Sequence, residues 1–89
     1  MNYRNNALEL LREQYDEFGY NFCQVCKQSN GRIHVHHIFF RSEKPKDEKL
    51  HDKKNMIIVC ENCHRKFHDN KNSRNSIIKE RNLIDFFKI

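Results

Sequence analysis

The run Asn55-Met56-Ile57-Ile58-Val59-Cys60-Glu61-Asn62-Cys63-His64-Arg65-Lys66-Phe67-His68 decides the fold. Its first part, Asn55 to Val59, is apolar after the Asn and rich in β-branched side chains, which predicts a strand. Its second part turns polar, and a helix is expected from Asn62 to about Asn70. His64 and His68 stand four apart there, so both point to one side of that helix. Cys60 and Cys63 mark the junction between strand and helix.

Upstream lies a second pair, Cys23-x-x-Cys26. Two such pairs in a chain with no export signal read as a tetrahedral zinc site, because disulfides are rare in reducing compartments. A redox Cys-x-x-Cys of thioredoxin type is the competing reading. It would need a βαβ setting that this length builds poorly. The pairs are separated by 33 residues, against roughly 15–20 in a compact zinc ribbon. Residues 27–59 are therefore an insertion closed at its neck by the metal, and the function is expected inside it.

Working outward, Leu8, Leu11, Tyr15 and Phe18 recur at helical spacing among charged residues, which predicts an amphipathic helix from about residue 4 to Phe18. Gly19 suits its left-handed terminus. Asn30-Gly31 marks a turn, and Arg32 to Ile38 alternates as a strand. Residues 41–54 are charged and read as a structureless surface loop, a feature that is usually functional in so small a domain. A break is expected at residues 69–73 and a helix from Ser73 to Arg81. The state of residues 83–89 is open.

The chain has 89 residues, with 37% apolar and 33% charged residues, two Gly, one Pro and no Trp. That length allows one domain, residues 1–89, and a core so small that a metal staple is expected. No apolar run approaches the roughly 20 residues of a membrane span. The N-terminus, Met1 to Asn6, lacks a secretory signal. The expectation is a cytoplasmic protein, bacterial or phage-encoded, with no membrane partner. The formal net charge is +5 and the pI about 9.2. Residues 1–40 are neutral, while 41–54 carry +2 and 55–89 carry +3. A basic second half suits a polyanion such as nucleic acid.

The histidines sharpen that expectation. His36 and His37 lie on the first predicted strand, and His64 and His68 on the helix. Two imidazoles from a helical turn and one from a neighbouring strand make a workable divalent-metal site. Adjacent strand residues face opposite sides. One of His36 and His37 can therefore hold a cation while the other, with an ordinary pKa near ~6.5, takes a proton from water. His34 and His51 belong to no motif and read as ordinary surface residues.

Val35-His36-His37-Ile38, followed by Asn55-Met56-Ile57-Ile58-Val59-Cys60-x-x-Cys63-His64-x-x-x-His68, resembles the HNH endonuclease signature. The resemblance covers about residues 23–68, the motif core. It implies an α+β domain of the ββα-metal kind, zinc-stabilised by Cys23, Cys26, Cys60 and Cys63, to which the predicted N-terminal helix and C-terminal helical tail, both outside the resemblance, are attached. It implies His37 as general base, Asn55 as the residue that pins the loop and orients the base, and His36, His64 and His68 as ligands of a catalytic divalent metal. That metal would be Mg²⁺ or Mn²⁺, with Zn²⁺ or Ni²⁺ also suited to nitrogen donors.

The implied activity is metal-dependent cleavage or nicking of DNA, double-stranded by expectation, leaving 5′-phosphate and 3′-hydroxyl ends. A monomer or weak dimer would do it. Arg41 is a candidate phosphate clamp, and Arg65 and Lys66 could flank the duplex. Two features depart from the family pattern. The run continues Phe39-Phe40-Arg41-Ser42 where many members have Pro, and the strand ligand is His where many use Asp. The alternative from another class is a zinc-dependent nucleic-acid-binding module that does not cut.

Overall fold

A computed structural model describes residues 3–40, 43, 46–69 and 71–87, with the backbone alone for residues 71–73. The elements follow in the order α1 (Tyr3–Phe18), β1 (Ile33–His37), two single 3₁₀ turns (Glu48–His51 and Lys53–Asn55), β2 (Met56–Cys60), α2 (Glu61–Asp69), α3 (Lys71–Glu80) and α4 (Leu83–Phe87). The chain is a mixed α+β domain, with helices at both ends of the sequence and four Cys gathered where zinc could sit. No helix among the described residues is long and apolar enough to cross a membrane.

β1 and β2 pair antiparallel, with Val35 opposite Ile58, His36 opposite Ile57 and His37 opposite Met56. Their alternating side chains divide the core in two. Val35, Met56 and Ile58 pack with Tyr3, Ala7, Leu10 and Leu11 of α1. Ile57 and Val59 join a second cluster with Phe67 of α2, Ile78 of α3, and Leu83 and Phe87 of α4. All five residues of β2 are buried. A strand covered on both faces needs no polar alternation, hence the unbroken apolar run that ends at Val59. Each large aliphatic side chain buried this way contributes roughly 1.5–3 kcal/mol.

The first Cys pair is fastened from two sides. Gln14 of α1 is buried; its Nε2 donates to the Phe22 carbonyl at 3.0 Å, and its Oε1 accepts from Phe22 N at 3.0 Å. Gln24 then pairs with β2, its backbone N–H donating to Ile58 O at 2.8 Å and its Oε1 accepting from Ile58 N at 2.9 Å. α1 ends as expected at Phe18, followed by Gly19, which has φ +82° and whose N–H donates to Tyr15 O at 2.7 Å.

Several boundaries differ from expectation. The segment read as structureless, residues 41–54, holds two capped turns. Asp47 Oδ1 accepts from Lys49 N at 2.9 Å, and Asp52 Oδ1 accepts from Lys54 N at 2.8 Å. Between those caps Leu50 is buried in the larger core cluster. Asn55 ends the second turn instead of opening the strand, and β2 runs on through Cys60. α2 therefore begins one residue before Asn62, and α3 begins at Lys71 instead of Ser73. The open tail contains α4, whose Phe87 meets Phe39 edge to face at 5.0 Å between ring centres.

Candidate functional site

The four cysteines come together although two lie on a turn, one ends β2 and one lies in α2. Their sulfurs all fall within 4.8 Å of one another, the one such group of metal-ligating side chains among the described residues. Cys26 Sγ and Cys60 Sγ are 3.6 Å apart. Zinc bonded to thiolates at about 2.3 Å in a tetrahedron sets sulfurs about 3.8 Å apart, so the set fits that ion. None of the four is in a disulfide.

Their acidities point the same way. Burial raises the Cys23 thiol, but the backbone N–H groups of Cys26, Cys60 and Val25 outweigh it and bring it down to about 6. Burial first, and then the other thiols, pushes Cys63 well above the ordinary thiol range. Without a cation the cluster cannot ionise fully; a dication is what lets all four act as thiolates.

A second constellation is built of imidazoles. β1 presents His36 toward α2, where its ring stacks on His64 with centres 3.5 Å apart and planes 10° from parallel. His64 Nε2 and His68 Nε2 are 3.1 Å apart. Two nitrogens bound to one divalent ion at about 2.0–2.1 Å would stand roughly 3.0–3.4 Å apart, so this pair already has the spacing of co-ligands. His36 Nε2 is buried and has no hydrogen-bond partner among the described residues. Such an orphan nitrogen is costly unless something binds it. Burial, then the charges of His64, His34, His68 and His37, lowers the His36 pKa to about 4. Burial, then His68 and His34, lowers that of His64. Neutral imidazoles are the form that ligates a metal. Because a ligand nitrogen bonds in its ring plane, the stacked pair must turn edge-on to share an ion.

His37 faces the other way, toward α1. Its ring stacks on Tyr3 at 4.6 Å, and its Nε2 lies 3.3 Å from His51 Nδ1. Asn55 is fully buried beside the end of β1. Its Oδ1 accepts from Phe39 N at 2.8 Å, and its Nδ2 donates to Leu50 O at 3.1 Å and to Phe39 O at 3.3 Å. Its own carbonyl accepts from Ile38 N at 2.7 Å. One amide thus ties the backbone just after His37 to the turn that carries His51.

A family model described as HNH endonuclease matches residues 23–70, more than half of the chain. The chain belongs to the HNH endonuclease family. Searches of curated proteins and of solved structures found no match. The HNH match spans both Cys pairs, His36, His37, Asn55, His64 and His68, while α1, α3 and α4 lie outside it. Membership implies a nuclease-type, nucleic-acid-related function.

Of the residues expected to contact DNA, Arg41 lies outside the described residues. Arg65 and Lys66 are exposed on α2, Arg65 with a 3.0 Å ion pair to Glu61 one turn earlier. Two histidines read as ordinary surface residues are not. His34 sits 5.5 Å from His36 between ring centres, and His51 touches His37. For His34 the signal was present: it stands two residues before His36 on the same strand, hence on the same face. For His51 no signal was present, because the Asp47 cap and the burial of Leu50 that order its turn are seen only in the fold. A groove of about 560 Å³ between α1, the first Cys pair and α3 includes none of these imidazoles.

Proposed function

We propose that residues 1–89 form a single metal-dependent HNH endonuclease or nickase that hydrolyses phosphodiesters of double-stranded DNA to 5′-phosphate and 3′-hydroxyl ends. The observation that carries this reading is the orphaned, buried His36 Nε2 next to a His64–His68 pair already at co-ligand spacing. The structural zinc would be held by Cys23, Cys26, Cys60 and Cys63. A divalent cation held by His36, His64 and His68, Mg²⁺ or Mn²⁺ or a more nitrogen-loving Zn²⁺ or Ni²⁺, would supply Lewis-acid stabilisation of the charge developing at the phosphate.

The protein's own groups do the remaining work. His37 is the general base: its imidazole accepts a proton from the attacking water, a step that contributes roughly 10²–10⁴-fold in rate. Asn55 keeps the backbone at Ile38 and Phe39 fixed against the turn, and so keeps His37 at the right distance. Arg65 and Lys66, and Arg41 by its place in the sequence, contribute charge for the DNA backbone. A monomer with one such site cuts one strand, and a weak dimer could cut two.

The test is a supercoiled-plasmid assay on protein stripped by chelator and then given each divalent ion in turn, with zinc kept at the thiolates. Nicking that returns with at least one ion, and that His37→Ala loses while keeping its fold and one zinc per chain, supports the reading. A second reading, a zinc-dependent nucleic-acid-binding module that does not cut, draws on the face-to-face stack of His36 on His64. DNA retention with no cleavage under any ion would establish it instead.

A further inference from the structure

His51 lies fourteen residues after His37, on a turn that the sequence alone marks only as charged. It meets His37 nitrogen to nitrogen at 3.3 Å. The turn is not free to drift. Asp47 caps its start, Leu50 anchors it in the core, and the Asn55 Nδ2 amide donates to the Leu50 carbonyl. Asn6 of α1 adds a further hold, its Nδ2 donating to the His51 carbonyl at 2.7 Å. Tyr3, one turn earlier on α1, stacks on the His37 ring and lies edge-on to His51 at 6.0 Å between centres. The Tyr3 hydroxyl is itself fixed, donating to Val35 O at 2.8 Å. Both sides of the contact are therefore held by separate backbone elements.

We propose that His51 is a positioning residue for His37, with the first turn of α1 as its support. An imidazole used as a base must present one chosen nitrogen in one ring orientation. In this assignment His37 Nε2–H donates to His51 Nδ1, which fixes the rotamer of His37 and leaves the lone pair on its Nδ1, free to take a proton from water. Tyr3 covers one face of the ring. The inference rests on the reading of His37 as the base. It adds that α1, most of the chain outside the HNH match at its N-terminal side, takes part in aligning the reactive group.

The test compares wild type, His51→Ala, His51→Asn and His37→Ala in the zinc-loaded full chain. The readouts are steady-state plasmid nicking and ¹⁵N NMR of the His37 ring. A side-chain amide of Asn can set a donor or acceptor near the place of Nδ1, so Asn is the conservative change. The expected result is a fall in kcat on the order of 10²-fold for His51→Ala, as for a reacting group held about 1 Å out of place. KM should stay within about twofold, and His51→Asn should recover most of the lost rate. The ¹⁵N shifts of His37 should report one dominant tautomer in wild type and a mixture in His51→Ala. Unchanged kcat in His51→Ala while His37→Ala is inactive overturns this inference and leaves the base assignment standing. Full activity of His37→Ala overturns the base assignment itself. Identical His37 ring shifts in wild type and His51→Ala overturn the positioning role whatever the activities show.

Discussion

The thiol cluster and the imidazole cluster both draw on α2, through Cys63 and through His64 and His68, yet they are built in different ways. Each Cys pair is brought close by local backbone: a turn closed by Lys27 at φ +68° for the first, and the β2–α2 junction for the second. The four sulfurs then converge within 4.8 Å. The imidazoles are brought together by packing. His36 arrives on a strand edge, His64 and His68 on one helix face, and His37 points to the far side of the sheet with His51. The thiol set is a closed clasp that holds the fold. The imidazole set is looser, partly exposed and held by neighbours, an openness that suits the role proposed for it.

Breaking the clasp should have the largest effect. Structural zinc contributes on the order of 10–16 kcal/mol of binding free energy, as much as the whole stability of a typical domain, about 5–15 kcal/mol. Cys60→Ala, or zinc removal by a strong chelator, should abolish the cooperative thermal transition in far-UV circular dichroism. A transition unchanged in midpoint would show that the thiols are ornamental.

Breaking the imidazole set should leave the fold intact. His64→Ala should retain one zinc per chain and a thermal midpoint within a few degrees, while plasmid nicking falls at least about 10²-fold. Loss of the thermal transition in this variant would mean that the two clusters are one structural unit.

A subtler difference lies in pH. His36 has a folded pKa of about 4, below the ordinary value near 6.5, because burial and then the neighbouring imidazoles disfavour its charged form. Between those values the unfolded chain binds a proton that the folded chain refuses. The contribution to stability is present above about pH 6.5 and is lost as pH falls toward 4. Thermal midpoints measured with zinc bound should drop across that window, and His36→Gln should flatten the drop. A slope equal to wild type in the Gln variant would assign the effect to other groups.

The smallest effect is expected on the exposed face of α2. Lys66→Ala should leave stability unchanged within about 0.5 kcal/mol and lower the salt dependence of DNA binding by about one unit of slope. An unchanged slope by fluorescence anisotropy would remove Lys66 from the interface.

Spacing and residue type alone made the Cys pairs, both strands and the long first helix legible, because each depends on a local pattern of period two, period 3.6 or a Cys-x-x-Cys turn; Asn55 was singled out only by the resemblance to the HNH signature. The apolar run from Met56 to Val59 pointed to a strand, and the structure showed it buried on both sides. The order of residues 46–55 was not legible, because charged side chains masked two Asp caps and one buried Leu50. Only the tertiary structure decided that His36 stacks on His64, and that His51 and Tyr3 close around His37. Those contacts join residues far apart in the chain, and they exist because α1 packs on one face of a two-stranded sheet while α2 packs on the other.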